Sequence, residues 1–594
     1  MCLVSITESK REDVKETELM TQEKTKREDV KETELMMQEE TMTGYPSIDK
    51  PWLKYYTEEH IKAELPSMTA YEYLKKLNAN RLKFDAIDSV VGNYTYEELF
   101  EMIDKTAAAL YKMGVCKGKI ILAMLPVLPH ETFLLYATDV VGAAMSQIPP
   151  QSIIEEICNA IKKYEAEIFF VFDSLLTSEM EQIIYESTEV KNMVVIHFGT
   201  MKNHDERTIS WNDFLKVGSG VILPEIKRDS KDLLFLASTG GSTGAPKSVM
   251  LNDDCFNIMV HQYLNSELPY KEGDRWIRLW PVFSATANIA NNHMPLCAGM
   301  HCILREFPLD INEFDRMILE EKPQHLMLIP QLLEVLEKSR LIDNQDLSFI
   351  KTVGCGGMGI TKQFEEKVES FFKKHNIETF LGYGWGCTES ATAGSIRSSV
   401  RTSEIGSAGA PMVNVTVSVF DADDGTEKQY DEEGELCINS PSNMMGYYKD
   451  EELTHKAVRK HADGSFWLHT GDLGTISRSG IVTVRGRMTR MLFVFPTAKV
   501  YPQALESAIS KVDGVREVAI CGMPDCEHDG FQVPICFIVR EEERTSEQVI
   551  ANVKTYCEAF FPEHARPKKI VVKEVMPLTK VGKPDIRTLE AELM

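Results

Sequence analysis

The stretch from Asp232 to Met250, Asp-Leu-Leu-Phe-Leu-Ala-Ser-Thr-Gly-Gly-Ser-Thr-Gly-Ala-Pro-Lys-Ser-Val-Met, constrains this chain more than any other. The apolar run Leu233 to Ala237 has the length and flanks of a buried strand. It empties into a loop of small residues, Ser238 to Gly244. Glycines there let the backbone bend, while hydroxyls and bare N–H groups make a cradle for phosphate oxygens. Pro246 stiffens the exit, and Lys247 sets a positive charge beside the cradle. A flexible Gly/Ser linker needs neither the strand before nor the proline–lysine exit after. The common mononucleotide loop does not fit either. It requires Gly-Lys followed directly by Ser or Thr, and here Ala245 and Pro246 separate Gly244 from Lys247.

At 594 residues and 43% hydrophobic, the chain carries enough apolar material for more than one domain. No run is long and uncharged enough for a membrane helix, and the opening Met-Cys-Leu-Val-Ser-Ile meets Glu and Lys too soon for a signal peptide. Thirteen scattered cysteines without metal-ligand spacing fit reduced thiols and a cytoplasmic setting. A net charge of −25 speaks against nucleic-acid binding while leaving room for a small anionic substrate. Lys10–Thr25 recurs almost unchanged as Lys26–Thr41. Crowded with charge and lacking aromatics, this duplication reads as a disordered, solvated tail over residues 1–45 rather than a docking helix.

Beyond the tail, Tyr94–Gly114 has helical spacing, Lys119–Leu125 reads as a strand, Glu131–Gly142 as a helix, and Glu167–Phe172 and Val194–Ile196 as strands. This alternation predicts an α/β fold with parallel strands. Trp276–Phe283 reads as a strand running to a loop at Ser284, Asp310–Lys322 as a helix and His325–Ile329 as a strand. Gly354-Cys355-Gly356-Gly357-Met358-Gly359 spells G-x-G-x-x-G between an apolar stretch and a helical one, Ile360–Lys374. That pattern also occurs in NAD-linked oxidoreductases, but there it commonly follows the first strand of a domain, and here it arrives deep in the chain.

Tyr383-Gly384-Trp385-Gly386-Cys387-Thr388-Glu389 sets a hydroxyl beside a carboxylate after a glycine-rich turn, which suits a nucleotide phosphate and Mg²⁺. A helix N-terminus capped by Thr388 would give the same residues a purely structural role. Thr470-Gly471-Asp472 reads as a strand-to-turn junction, and a lysine, Lys583, sits on a Gly-containing loop near the C-terminus.

In this order the motifs resemble those of the adenylate-forming superfamily, which comprises acyl-CoA synthetases, luciferases and peptide-synthetase adenylation domains. The resemblance runs from Gly44 to the end. It implies an α/β fold, with a large N-terminal adenylation domain of parallel-rich sheets and flanking helices over residues 46–486. A small, mobile α+β C-terminal domain is implied over 487–594. By the same resemblance Thr239, Gly240, Gly241, Ser242, Thr243, Gly244 and Lys247 hold ATP phosphates, and Gly356, Gly357 and Trp385 lie with the nucleotide. It further implies that Thr388 touches the α-phosphate, Glu389 binds Mg²⁺, Asp472 and Arg487 hold the ribose, and Lys583 is catalytic. Thr489 would stand at the hinge, and Ser284 and Met358 would line the acid pocket. The reaction implied is ATP-dependent activation of a small-molecule carboxylic acid, fatty or aryl, to acyl-AMP, followed by transfer to coenzyme A. An acyl carrier protein thiol is the alternative acceptor, and a non-catalytic nucleotide binder is the alternative of another class. The chain departs from the family pattern at Ser248 (usually Gly), Ser284 (often His), Thr489 (Asp or Lys), Arg490 (Asp) and Phe493–Thr497, where Gly-Gly-Glu is often found.

Overall fold

The computed structural model describes residues 42–202, 204–239, 247–305, 313–357, 359–422, 424–495, 498–528, 530–579 and 583–593. The duplicated tail, the loop residues Gly240–Gly244 and Met358 lie outside them.

Local chemistry sets the element boundaries. The Tyr96–Lys112 helix starts at Thr95, whose side chain accepts from the Glu98 N–H while the Glu98 carboxylate caps the Thr95 N–H. Its Leu99, Ile103, Ala107 and Leu110 recur at helical spacing and are fully buried. The Ile120–Met124 and Ile168–Phe172 strands are buried along their whole length, as strands covered on both faces must be.

Two large sheets result. In the first, of eight strands, Leu233–Thr239, Ala144–Gln147, Ile120–Met124, Ile168–Phe172, Asn192–Ile196 and Thr208–Ser210 run parallel. In the second, of nine strands, Asp85–Ser89, His301–Leu304, Arg275–Arg278, His325–Leu328, Thr352–Cys355 and Leu381–Trp385 run parallel. Helices cover both, and one core cluster built on Phe133, Phe235, Phe256 and Trp276 joins them. A third, five-stranded sheet built on Gly434–Asn439 and Phe466–Ile476 is antiparallel throughout, which the α/β alternation did not foretell. The smaller C-terminal part packs the helices Pro502–Ile509 and Ser546–Phe560 on a three-stranded sheet, Val515–Pro524, Gln532–Arg540 and Lys569–Lys573. The fold is thus α/β with a large N-terminal and a small C-terminal domain.

Several expectations are corrected. The predicted strand Trp276–Phe283 ends at Arg278, before Pro281, which has no N–H to donate to a ladder. Of the helix expected over Asp310–Lys322, residues 310–312 lie outside the described residues and Phe314–Glu321 is helical. The G-x-G-x-x-G segment does not form a dinucleotide turn. Gly354 and Cys355 are strand residues paired to Met327 and Leu328 on one side and Gly382 and Tyr383 on the other. The helix after it starts only at Lys362, capped by Thr361. Among the described residues no helix is long and apolar enough to cross a membrane, and the twelve described cysteines are free thiols.

Candidate nucleotide-binding active site

The glycine-rich stretch closes a hairpin. Ser238 and Thr239 belong to the outgoing strand rather than to the loop. The chain returns antiparallel as Lys247–Asn252, with Ser238 opposite Ser248 and Thr239 opposite Lys247. The residues at both ends of the loop are therefore fixed by a ladder. Ser248, where the family has glycine, is buried and bonds the Lys163 ammonium and the Tyr164 hydroxyl, each at 2.7 Å. The departure thus has a local structural reason.

The return strand is flanked by a two-residue strand, Gly446–Tyr447, paired to Met250 and Val249. The Tyr447 ring lies 5.2 Å from Lys247 Nζ, and its hydroxyl donates to Glu389 Oε1 at 2.7 Å. Burial, with the Glu389 charge second, pushes the Tyr447 phenol far above its ordinary value, so it stays a donor.

Thr388 and Glu389 come after the Leu381–Trp385 strand on a single 3₁₀ turn, Thr388–Ser390. No α-helix begins there, so the helix-cap reading of Thr388 falls away. Ser390 closes the turn instead, accepting from the Cys387 N–H at 3.0 Å. Glycine at 386 is required by close approach, because a Cβ there would stand 2.4 Å from the Thr392 carbonyl oxygen.

Asp472 does not sit where a strand ends. Phe466–Ile476 is one eleven-residue strand, and Thr470 and Gly471 are extra residues between the pairs Cys437–His469 and Leu436–Asp472. This is a β-bulge, made possible by Gly471 at φ +71°. The freed Gly471 N–H donates to Glu435 Oε1 at 2.9 Å, and Thr470 Oγ1 donates to the Leu436 carbonyl at 2.6 Å. The Asp472 carboxylate is held from two sides, by Trp385 Nε1 on Oδ2 and Arg487 Nε on Oδ1, both at 2.8 Å. Arg487 is itself fixed by a 2.6 Å bond to the Thr470 carbonyl. Burial raises the Asp472 carboxyl above its ordinary value, with Arg487 acting in the opposite direction.

Lys583 comes from the other end of the chain. Its loop is closed by Thr579, whose N–H donates to the Lys583 carbonyl at 2.7 Å and whose hydroxyl accepts from the Lys583 N–H at 3.2 Å. The residue keeps solvent access at the cleft mouth, yet desolvation by the surrounding protein lowers its ammonium below the usual lysine value. Arg487 adds to that lowering and Asp472 opposes it, so the three groups share one electrostatic neighbourhood.

One cleft of about 1620 Å³ between the domains is lined by Thr239, Lys247, Thr388, Glu389, Arg487 and Lys583. Ser284, Gly356 and Gly357 line it too. Ser284 caps the short helix Ala285–Asn288 through a 3.1 Å bond from the Ala287 N–H. Trp385 is buried behind this surface, where it holds Asp472. Thr489 lies outside the lining, in the 3₁₀ turn Met488–Arg490 that leads into the C-terminal part. Past it, Arg490 pairs with Glu506 at 2.5 Å, and a hairpin of Leu492–Val494 and Ala498–Val500 exposes Phe493 and Phe495, the latter stacked 3.7 Å from His528. The Tyr447–Glu389 bond is not legible in the sequence, because a tyrosine in a Gly-Tyr-Tyr run is a signal too common to read alone.

Lys247, the Thr-Glu turn and the late lysine line this one cleft, and the bulge aspartate is held beside it by Trp385 and Arg487. The AMP-binding enzyme family model matches residues 76–448, and the model of the AMP-binding enzyme C-terminal domain matches 504–583. Among curated proteins, 4-coumarate–CoA ligase 1 of Solanum tuberosum is 26% identical over 542 residues, covering 88% of this chain and 93% of that protein. Among solved structures, the anthranilate CoA ligase AuaEII in complex with anthranoyl-AMP superposes with a TM-score of 0.78 at 20% identity, covering 89% of this chain and 98% of that one. A Mycobacterium tuberculosis fatty acyl CoA synthetase superposes with a TM-score of 0.66 at 21% identity, covering 88% and 98%. With its large domain matched along most of its length and the small domain matched separately, this chain belongs to the AMP-binding enzyme family, within the adenylate-forming superfamily.

Proposed function

We propose that this AMP-forming acid–thiol ligase activates an apolar carboxylic acid, fatty or aryl, with ATP and passes the acyl group to coenzyme A. The observation that carries the reading is that Lys583 and Arg487 line one cleft with Thr388, Glu389 and Lys247, while Arg487 also pairs with Asp472. The large domain over 46–486 supplies most of these groups, and the small domain over 487–594 brings the lysine.

In the first half-reaction a carboxylate oxygen attacks the α-phosphorus and the bond to pyrophosphate breaks. Two anions must approach, so the site needs positive charge and aimed donors more than a base. Lys583 neutralises charge between carboxylate and α-phosphate, while Thr388 and the 239–244 loop hold phosphate oxygens. Asp472 accepts from the ribose hydroxyls, and its two anchors, Trp385 and Arg487, fix its aim. Glu389 suits Mg²⁺, since it offers a hard carboxylate oxygen and its Oε2 has no hydrogen-bond partner among the described residues. That ion, when bound, neutralises phosphate charge. In the second half-reaction the thiol sulfur attacks the acyl carbon, the bond to AMP breaks, and the thiol proton is released.

The choice of acid rests on the cleft wall. Tyr263, Tyr270, Trp276, Trp280, Phe283 and Met327 line it, as does Ser284. A largely apolar, aromatic wall favours fatty and aryl acids over amino acids. The sequence resemblance puts Met358 in the same pocket. Several of the similar proteins are aryl- or fatty-acid–CoA ligases by name, which agrees with this choice. The aromatic Phe493–Phe495 hairpin, standing in place of the family's glycines, supports a carrier-protein thiol as a second acceptor. The test is carboxylate-dependent ATP–pyrophosphate exchange across fatty, aryl and amino acids, with Lys583→Ala in parallel. We expect exchange with an apolar acid and a loss of about 10²-fold or more in the variant. Absence of exchange with every acid, despite ATP binding, would remove the enzymatic reading. Adding coenzyme A or an acylatable carrier protein then decides the acceptor.

A further inference from the structure

Glu389 and Lys247 lie at the phosphate end of the cleft on separate segments, and one side chain touches both. The Tyr447 hydroxyl donates to Glu389 Oε1 at 2.7 Å while its ring lies 5.2 Å from Lys247 Nζ. The backbone around it is tied to the same two places. The Met444 N–H donates to the Glu389 carbonyl at 2.8 Å, and the Met445 and Tyr448 N–H groups donate to the Met250 and Ser248 carbonyls at 3.0 and 2.8 Å. Tyr447 is 5% exposed, and its own N–H is held by Thr454 Oγ1 at 2.9 Å, so the ring has little freedom to leave. Packing alone would be met by phenylalanine. The hydroxyl is used on one carboxylate oxygen and leaves the other for a further ligand.

We propose that Tyr447 is a positioning residue for the phosphate end of the site. It pins Glu389 by one oxygen so that the other is presented to the cation accompanying ATP, and it holds the Lys247 ammonium over its ring at the exit of the phosphate loop. The inference rests on the reading of Glu389 as the cation-binding carboxylate. Groups behind a metal ligand typically govern its affinity by about 10- to 100-fold, and a solvent-accessible ammonium over a ring is worth about a factor of 3.

The two contacts separate by variant. Tyr447→Phe keeps the ring and removes the hydroxyl, whereas Tyr447→Leu removes both. Binding of α,β-methylene-ATP to the full-length protein would be measured calorimetrically in EDTA and across a Mg²⁺ titration, with Mn²⁺ binding followed by electron paramagnetic resonance. Tyr447→Phe should bind the analogue in EDTA as wild type does, yet need about tenfold more Mg²⁺ or Mn²⁺ for the metal-dependent gain. Tyr447→Leu should show the same metal defect plus about threefold weaker binding in EDTA. In a Glu389→Gln background, Tyr447→Phe should add nothing further, because its effect passes through that carboxylate. A normal metal requirement in Tyr447→Phe, with Glu389→Gln defective, overturns the proposal and leaves the function of the site intact. A normal metal requirement in Glu389→Gln overturns the assignment of Glu389, and this proposal with it. Unchanged melting temperatures in the nucleotide-free variants exclude a folding defect as the cause.

Discussion

Asp472 sits in a protein environment that opposes its charge, and the structure counters this with two directed partners. Burial raises its carboxyl, while Trp385 and Arg487 each donate at 2.8 Å. Removing one donor leaves a buried carboxylate oxygen unpaired, which costs more than the bond itself contributes. Trp385→Phe is therefore expected to raise the KM for ATP about tenfold in pyrophosphate exchange with a smaller change in kcat. Lys583 presents the opposite case, since its ammonium is lowered by desolvation and by Arg487. A lowered value means that the charged form is lost earlier as pH rises. The rate of adenylation should thus fall on the alkaline side below the ordinary lysine value of about 10.4. Lys583→Arg stays charged throughout that range, so its residual rate should show no such limb, and a persisting limb would assign the titration elsewhere.

At the scale of elements, the site is made by irregularities in otherwise regular strands. The bulge at Thr470–Gly471 shifts the register of Phe466–Ile476 and turns Asp472 toward Trp385 and Arg487. The 3₁₀ turn at Thr388–Ser390 depends on Gly386 passing beside the Thr392 carbonyl. Gly386→Ala would set a methyl group 2.4 Å from that oxygen, so backbone must move. We expect ATP affinity to fall tenfold or more, with a destabilisation on the order of 1–3 kcal/mol visible as a lower melting temperature. An unchanged affinity would show that the turn tolerates displacement. Neither irregularity could be read from periodicity. The run Phe466-Trp467-Leu468 followed by His-Thr-Gly-Asp reads as a strand entering a turn, and only pairing to Leu436 and Cys437 reveals the two extra residues. Ser238 and Thr239 are similar, since small polar residues read as loop until Lys247 and Ser248 pair with them.

For the molecule as a whole, Lys583 from near the C-terminus lines the same cleft as Lys247, Thr388 and Glu389 of the large domain. The connecting turn, Met488–Arg490, contains Thr489, and Arg490 is anchored into the small domain through Glu506. If the second half-reaction requires this turn to change conformation, stiffening it should separate the two steps. Thr489→Pro is expected to leave pyrophosphate exchange within about threefold of wild type while slowing thioester formation tenfold or more. Equal losses in both steps would assign the turn a structural role alone. Quenched-flow measurement of the two half-reactions distinguishes the outcomes.

The sequence by itself determined the class of fold, because apolar runs too short for helices, such as Ile168–Phe172, alternate with helical patterns, and helices between such strands bring them into parallel order. The residues proposed for the site were legible there through the family resemblance that the glycine-rich loop with its lysine, the Thr-Glu pair and the late lysine carry together. Tertiary structure alone decided how these pieces work together. That Trp385 grips Asp472, that Ser248 answers Lys163 and Tyr164, and that Tyr447 joins Glu389 to Lys247 are contacts between segments remote in the chain. Their physical basis is burial, which makes each unpaired polar group costly and so selects the partner that folding brings within reach. Local pattern carries no record of which distant residue that will be.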